Sequence, residues 1–108
     1  MERKEKLLID ILSAVERIEE FTADIKNFQQ YAEDFKSKSA VERQLIIIGE
    51  AVNQLVKVEE VKLEKAERII SFRNRLAHSY DSIDDSIVWL IIQRHLPALK
   101  QEVIEKKK

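Results

Sequence analysis

The chain has 108 residues, a formal net charge of −1, 36% charged residues and no cysteine. This length suits one domain, read as residues 1–108, with a single core of modest depth. The near-neutral balance excludes a broad basic field for nucleic acid, and the missing cysteines exclude disulfides and thiolate metal sites.

Only one glycine and one proline are available for turns, and aromatics are few, so the expectation is an all-α protein. The start, Met1-Glu2-Arg3-Lys4, passes into an amphipathic pattern without a secretory apolar core, which predicts a cytoplasmic protein. The longest apolar runs, Leu45 to Ile48 and Val88 to Ile92, fall far below the roughly 20 residues that span a bilayer, so no membrane role is expected.

From about Glu2 to Phe21, Leu7, Leu8, Ile11, Leu12, Val15 and Ile18 recur at spacings of three and four, the mark of a helix with one buried stripe. Thr22 to Lys38 is less periodic. Its Ile25, Phe28, Tyr31 and Phe35 suggest a short helix or two turns across the bundle end. Ser39-Ala40-Val41-Glu42 has capping-box spacing and predicts the start of a long helix to about Val58. The main face of that helix carries Val41, Leu45, Ile48, Val52, Leu55 and Val56. Ile46 and Ile47 fall outside this arc, so the middle turns need a second burial surface, and a symmetric copy of the chain is the expected supplier. Gly49 lies mid-helix, where it predicts close approach of another helix.

Glu59 to Lys62 reads as a charged connector, and a helix from about Leu63 is expected to break between His78 and Asp81. Ser82-Ile83-Asp84-Asp85 offers a second capping-box-like start, with Asp81, Asp84 and Asp85 helping to begin a final helix. That helix carries Ile87, Val88, Leu90, Ile91, Leu96, Leu99, Val103 and Ile104, and Pro97 is expected to kink or interrupt it. The architecture expected is an up-and-down four-helix bundle with an extra short helix, assembled as a homodimer.

The chemistry concentrates in Phe72-Arg73-Asn74-Arg75-Leu76-Ala77-His78-Ser79-Tyr80. On a helical wheel Ala66, Ile69, Ile70, Phe72, Leu76 and Ala77 form an apolar arc, and Arg73 falls near its middle. A guanidinium there needs an anionic partner. One candidate is the phosphate of a phosphodiester ligand. The plainer one is Glu50, oddly placed for a solvated charge between Ile46 and Ile47 on the second apolar surface. Arg73 and His78 are five residues apart, about 140° around an unbroken helix. Either the helix ends between them or two chains share the site. Asn74 and His78 are four apart and can meet on one face, so Asn74 can orient the ring. The plainer role for His78 is capping helix-end carbonyls, and for Tyr80 it is lying amphipathically at the rim. An RNA or nucleotide contact would be local, drawn from Arg68, Arg73, Arg75, Lys36 and Lys38, although Arg68 and Arg75 fall on the polar side of the wheel. His95 has no second ligand at zinc spacing and reads as structural. No phosphate loop, nucleophile elbow or metal motif is present, and no cofactor is expected.

Arg73, four residues, His78, one residue and Tyr80 together resemble the R-x4-H-x-Y motif of HepT-like proteins, a branch of the HEPN superfamily. Asn74, Leu76-Ala77, Gly49-Glu50-Ala51, Ile83 and Val88-Trp89 strengthen the likeness, which covers about Glu33 to Leu99. It implies an all-α dimer with the two motifs near the twofold axis, forming a shared metal-independent endoribonuclease site. It also implies a toxin of a type VII toxin–antitoxin pair, whose minimal nucleotidyltransferase partner neutralises it by adding AMP to the motif tyrosine. Carried over, Arg73 and His78 are catalytic, Asn74 supporting, and Tyr80 the modified residue; Glu50, by its expected bridge to Arg73, would also support the site by positioning the guanidinium. In the connector, Glu60-Val61-Lys62-Leu63-Glu64 replaces the proline and tryptophan expected before the motif helix, which bears on partner docking more than on chemistry.

The residue types suit that chemistry. Histidine as a class titrates near neutrality and can move protons. Arginine's fork fits charge building on phosphate. An AMP group on Tyr80 would bring bulk and negative charge to the arginine's anion site. Two other readings remain: a non-catalytic nucleotide-binding partner subunit of a nucleotidyltransferase, and a structural dimeric bundle in which Arg73 pairs with Glu50.

Overall fold

A computed structural model describes residues 2–78 and 83–108, and every regular element among them is helical. Helix α1 spans Arg3–Phe21, α2 Phe28–Glu33, α3 Phe35–Lys57 and α4 Ala66–His78. Helix α5, Asp85–Leu90, runs through a π-helical turn at Ile91–His95 into α6, Leu96–Lys107.

Two starts differ from expectation. Helix α3 begins a full turn before Ser39, because Asp34 caps it by accepting from the Ser37 amide at 3.0 Å and the Ser37 hydroxyl at 2.8 Å. These bonds hold the Asp34 carboxyl below the ordinary carboxylate range. Asp84 caps α5, accepting from the Ser86 amide at 2.8 Å; Ser82, where the capping-box pattern began, lies outside the described residues. The interruption expected at Pro97 is present, since the α-helix ends at Leu90 and resumes as α6 only at Leu96, with Pro97 in its first turn. Proline offers no N–H to the carbonyl four residues back and crowds it. The π turn just upstream widens the helix, with the Leu96 amide reaching back five residues to the Ile91 carbonyl.

The predicted stripe of α1 is buried, with Ala14 added and Leu12 only partly covered. It meets the face of α3 formed by Val41, Leu45, Ile48, Val52 and Leu55, and Val88, Leu96, Leu99 and Val103 complete the core. Fully burying each such aliphatic is worth about 1.5–3 kcal/mol. Helix α1 packs on α3 and α6, and α4 packs on α3. Arg3 reaches Gln54 at 2.8 Å, while Lys57 pairs with Glu67 at 3.2 Å. Both α1 and α4 therefore run antiparallel to α3. Between α3 and α4, Glu60 takes a left-handed conformation, φ 58°, and the Val61 amide returns to the Leu55 carbonyl at 2.9 Å, closing the helix end.

The bundle end is less apolar inside than the sequence suggested. Tyr31 is fully buried, but Phe28 is exposed and Phe35 is 78% exposed. Ile46 and Ile47, the second surface of α3, are only partly buried.

Candidate active site

Helix α4 lays one side along α3, and the crossing point is Gly49 against Arg73. A Cβ at Gly49 would fall 2.5 Å from Arg73 Cγ and closer still to its Cβ. This is the close approach predicted for the glycine, with the arginine itself as the element that approaches. The stem of Arg73 lies across α3, and its guanidinium emerges beside Glu50. Nη2 donates to Glu50 Oε1 at 3.0 Å, and Nη1 donates to Asn74 Oδ1 at 2.8 Å. Nε is buried without a hydrogen-bond partner.

The Glu50 pairing weighed from sequence is therefore present, without sequestering the cation. The Arg73 side chain is 29% exposed and that of Glu50 55%, so water screens the pair and reaches the guanidinium. Each terminal nitrogen carries two N–H groups. Among the described residues one on each is used, which leaves one on each for a further anion, the number a bidentate phosphate contact needs.

The surrounding residues divide. Leu76 and Ala66 are buried, Ile69, Ile70 and Phe72 partly buried, and Ala77 is exposed rather than part of the apolar arc. Asn74 and His78 are exposed on the same side of α4, but Asn74 spends its carbonyl on Arg73, and among the described residues no hydrogen bond joins it to His78. Helix α4 is unbroken through Arg73 and His78, so it does not end between them. Arg68 and Arg75 are exposed, as the wheel placed them. Tyr80 lies outside the described residues. His95, read as structural on the core-rich last helix, is exposed on the rim of a groove of about 240 Å³ between α4 and α6, near Phe72 and Ile91. Among the described residues no group of three His, Cys, Asp or Glu is placed to hold a metal, and no helix is long and apolar enough to cross a membrane.

Sequence reasoning missed a second polar cluster where α2, α3 and α5 meet. Lys38, considered above as an RNA contact, is instead tied to Asp85 Oδ2 at 2.8 Å and donates to the Ala32 carbonyl at 3.1 Å. Asp85 thus helps start α5 and also locks it to α3. Close by, Tyr31 stacks at 5.5 Å on Trp89, and its hydroxyl is buried without a partner. Burial first, then the charges of Glu42 and Asp85, push its phenol up. The Glu42 carboxyl is raised as well, by burial and then by Asp85, with Lys38 opposing. Contacts between residues so distant in the chain leave no periodic signal.

The model of the family described as ribonuclease HepT-like matches residues 11–105. The chain is 36% identical over 106 residues to a probable ribonuclease HepT of Thermococcus cleftensis, covering 93% of each chain. A candidate RNase of Methanocaldococcus jannaschii is 33% identical over 98 residues, 89% of each chain. A candidate RNase of Caldanaerobacter subterraneus subsp. tengcongensis is 33% identical over 81 residues, 73% of this chain and 72% of the relative. No solved structure matches the chain significantly.

Proposed function

Since the chain belongs to the ribonuclease HepT-like family, we propose that it is a metal-independent endoribonuclease acting as a homodimer, with Arg73 gripping phosphate and His78 moving protons. Residues 1–108 act as one up-and-down helical domain. One observation carries the shared site. Helix α4 runs unbroken from Ala66 to His78, so the Cα–Cβ bonds of Arg73 and His78 in one copy leave the helix about 140° apart, which favours a histidine supplied to each arginine by a second copy. Two α4 helices related by a twofold axis can bring the arginine of one copy to the histidine of the other. The partly covered Ile46, Ile47 and Ile70 support an interface on the face that also carries Glu50, Asn74 and His78.

In such a site His78 takes the proton of the substrate's 2′-hydroxyl as that oxygen bonds to phosphorus. The bond from phosphorus to the 5′-oxygen breaks, and the leaving oxygen takes up a proton from the imidazolium or from water. The two free N–H groups of Arg73 meet the charge growing on the non-bridging oxygens. Glu50 and Asn74 hold the guanidinium plane for that contact. By the motif resemblance, the protein is the cytoplasmic toxin of a two-gene pair, and its nucleotidyltransferase partner adds AMP to Tyr80 and blocks the arginine's anion site.

Complementation tests the shared site. Arg73→Ala and His78→Ala are expected to fold, dimerise and leave RNA intact. Mixed and re-equilibrated, they regain about a quarter of wild-type cleavage, because half the dimers are mixed and each has one intact site. No recovery in verified mixed dimers places both residues of a site on one chain. Wild-type cleavage by His78→Ala removes the catalytic assignment, and nucleotide binding without cleavage by the wild type favours the partner-subunit reading.

A further inference from the structure

Gly49 is the single glycine of the chain, buried in the middle of α3. It has an ordinary helical backbone, with no positive φ to demand glycine. Only space explains it, and the space is filled by one residue. A Cβ there would meet Arg73 Cβ, then Arg73 Cγ at 2.5 Å and Cα at 3.6 Å, and no other side chain comes as near. These atoms are rooted in the backbone of α4. The first cannot rotate away, so relief requires α4 to move.

We infer that Gly49 is a positioning residue for Arg73, its missing Cβ letting α4 cross so closely that the guanidinium is fixed at one place and in one plane. The inference rests on the reading of Arg73 as the phosphate-binding cation. Three further observations agree with fixation. Nε is sealed from water without a partner, Nη1 is held by the neighbouring Asn74, and Nη2 is held by Glu50, which follows Gly49 directly. An arginine needed only to pair with Glu50 would have no reason to bury an unpaired Nε–H, since a looser crossing would leave it hydrated. The crossing therefore gives up one donor and leaves the remaining free pair with a set direction, which suits a group that must meet charge in a transition state.

The test is Nε–H proton exchange in full-length 15N-labelled protein, with the Arg73 signal assigned by its loss in Arg73→Lys. In the wild type this proton should exchange at least about 10-fold more slowly than those of Arg68 and Arg75, which are exposed on the same helix. Gly49→Ala should shift the signal, speed its exchange and lower the single-turnover cleavage rate about 10- to 100-fold, while RNA binding changes little. If Gly49→Ala does not fold, the wild-type comparison still decides. An Arg73 proton exchanging as fast as those of Arg68 and Arg75 overturns the inference, as does a folded Gly49→Ala whose signal and rate match the wild type. Protected exchange that Gly49→Ala abolishes, in a protein that cleaves no RNA, upholds the positioning role and defeats the ribonuclease reading instead.

Discussion

Arg73→Lys separates a guanidinium held for chemistry from one held for stability. The substitution keeps the positive charge and much of the stem that crosses Gly49, but an ammonium is a point charge that cannot span acceptors on two helices. Losing the screened contact to Glu50, with side chains 29% and 55% exposed, removes about 0.5 kcal/mol. Losing the bond to Asn74 removes about 1 kcal/mol, and deleting the unpartnered buried Nε–H returns about 1 kcal/mol. The balance is about 0.5 kcal/mol, a fall in melting temperature of roughly 2–4 °C. Cleavage should fall about 10²- to 10³-fold, the usual consequence of removing an aligned donor from developing charge. The assay pairs urea denaturation with single-turnover cleavage of a labelled RNA at saturating enzyme. A lysine variant that cleaves within about tenfold of wild type defeats the argument. One that loses more than about 3 kcal/mol of stability does so too, because Arg73 would then be chiefly structural.

The polar corner makes three further predictions. Tyr31→Phe should stabilise the protein by about 1 kcal/mol, since it deletes a buried hydroxyl with no partner and keeps the ring on Trp89; a loss of stability in urea melts would mean the hydroxyl is bonded. Glu42→Gln should stabilise at pH 8, because a carboxyl whose pKa is raised by folding penalises the folded state when ionised. That advantage should shrink as pH falls through the raised folded value and vanish below the unfolded one, and a difference that is constant with pH refutes the assignment. Lys38→Met should lower stability by about 1–2 kcal/mol, because it strands the largely covered Asp85, while RNA affinity stays unchanged; a drop in affinity with stability intact would return Lys38 to the RNA-binding surface.

What the sequence disclosed follows from the range over which each signal acts. Apolar periodicity reports a helix face directly, so α1 and the core stripe of α3 were legible to within a few residues. Where burial stops, that signal stops too. Helix α3 extends past Ser39 to an exposed Phe35, and its start is set by a local Asp34–Ser37 cap that competes on equal terms with the Ser39–Glu42 pattern. Pro97 announced a disturbance, but its accommodation by a π turn upstream depends on keeping Leu96, Leu99 and Val103 on the core. The ion pair of Lys38 with Asp85 had no local trace, and the sequence placed both residues in other roles.

The site was legible for a different reason. Gly49 and Arg73 each contradict the helix that contains them. A glycine mid-helix is about 1 kcal/mol worse than alanine, and an arginine among apolar neighbours needs a partner. Read separately, one predicts a close approach and the other an anion. In the folded chain they meet at one crossing, where the glycine makes room for the arginine's stem and Glu50, the next residue, takes its head. Two local penalties that resolve each other across helices are not what packing alone would select, because alanine opposite leucine would serve the core better. The pairing makes sense if the guanidinium must stand at that point on the surface. A phosphate-binding role supplies the requirement, and a purely structural bundle does not.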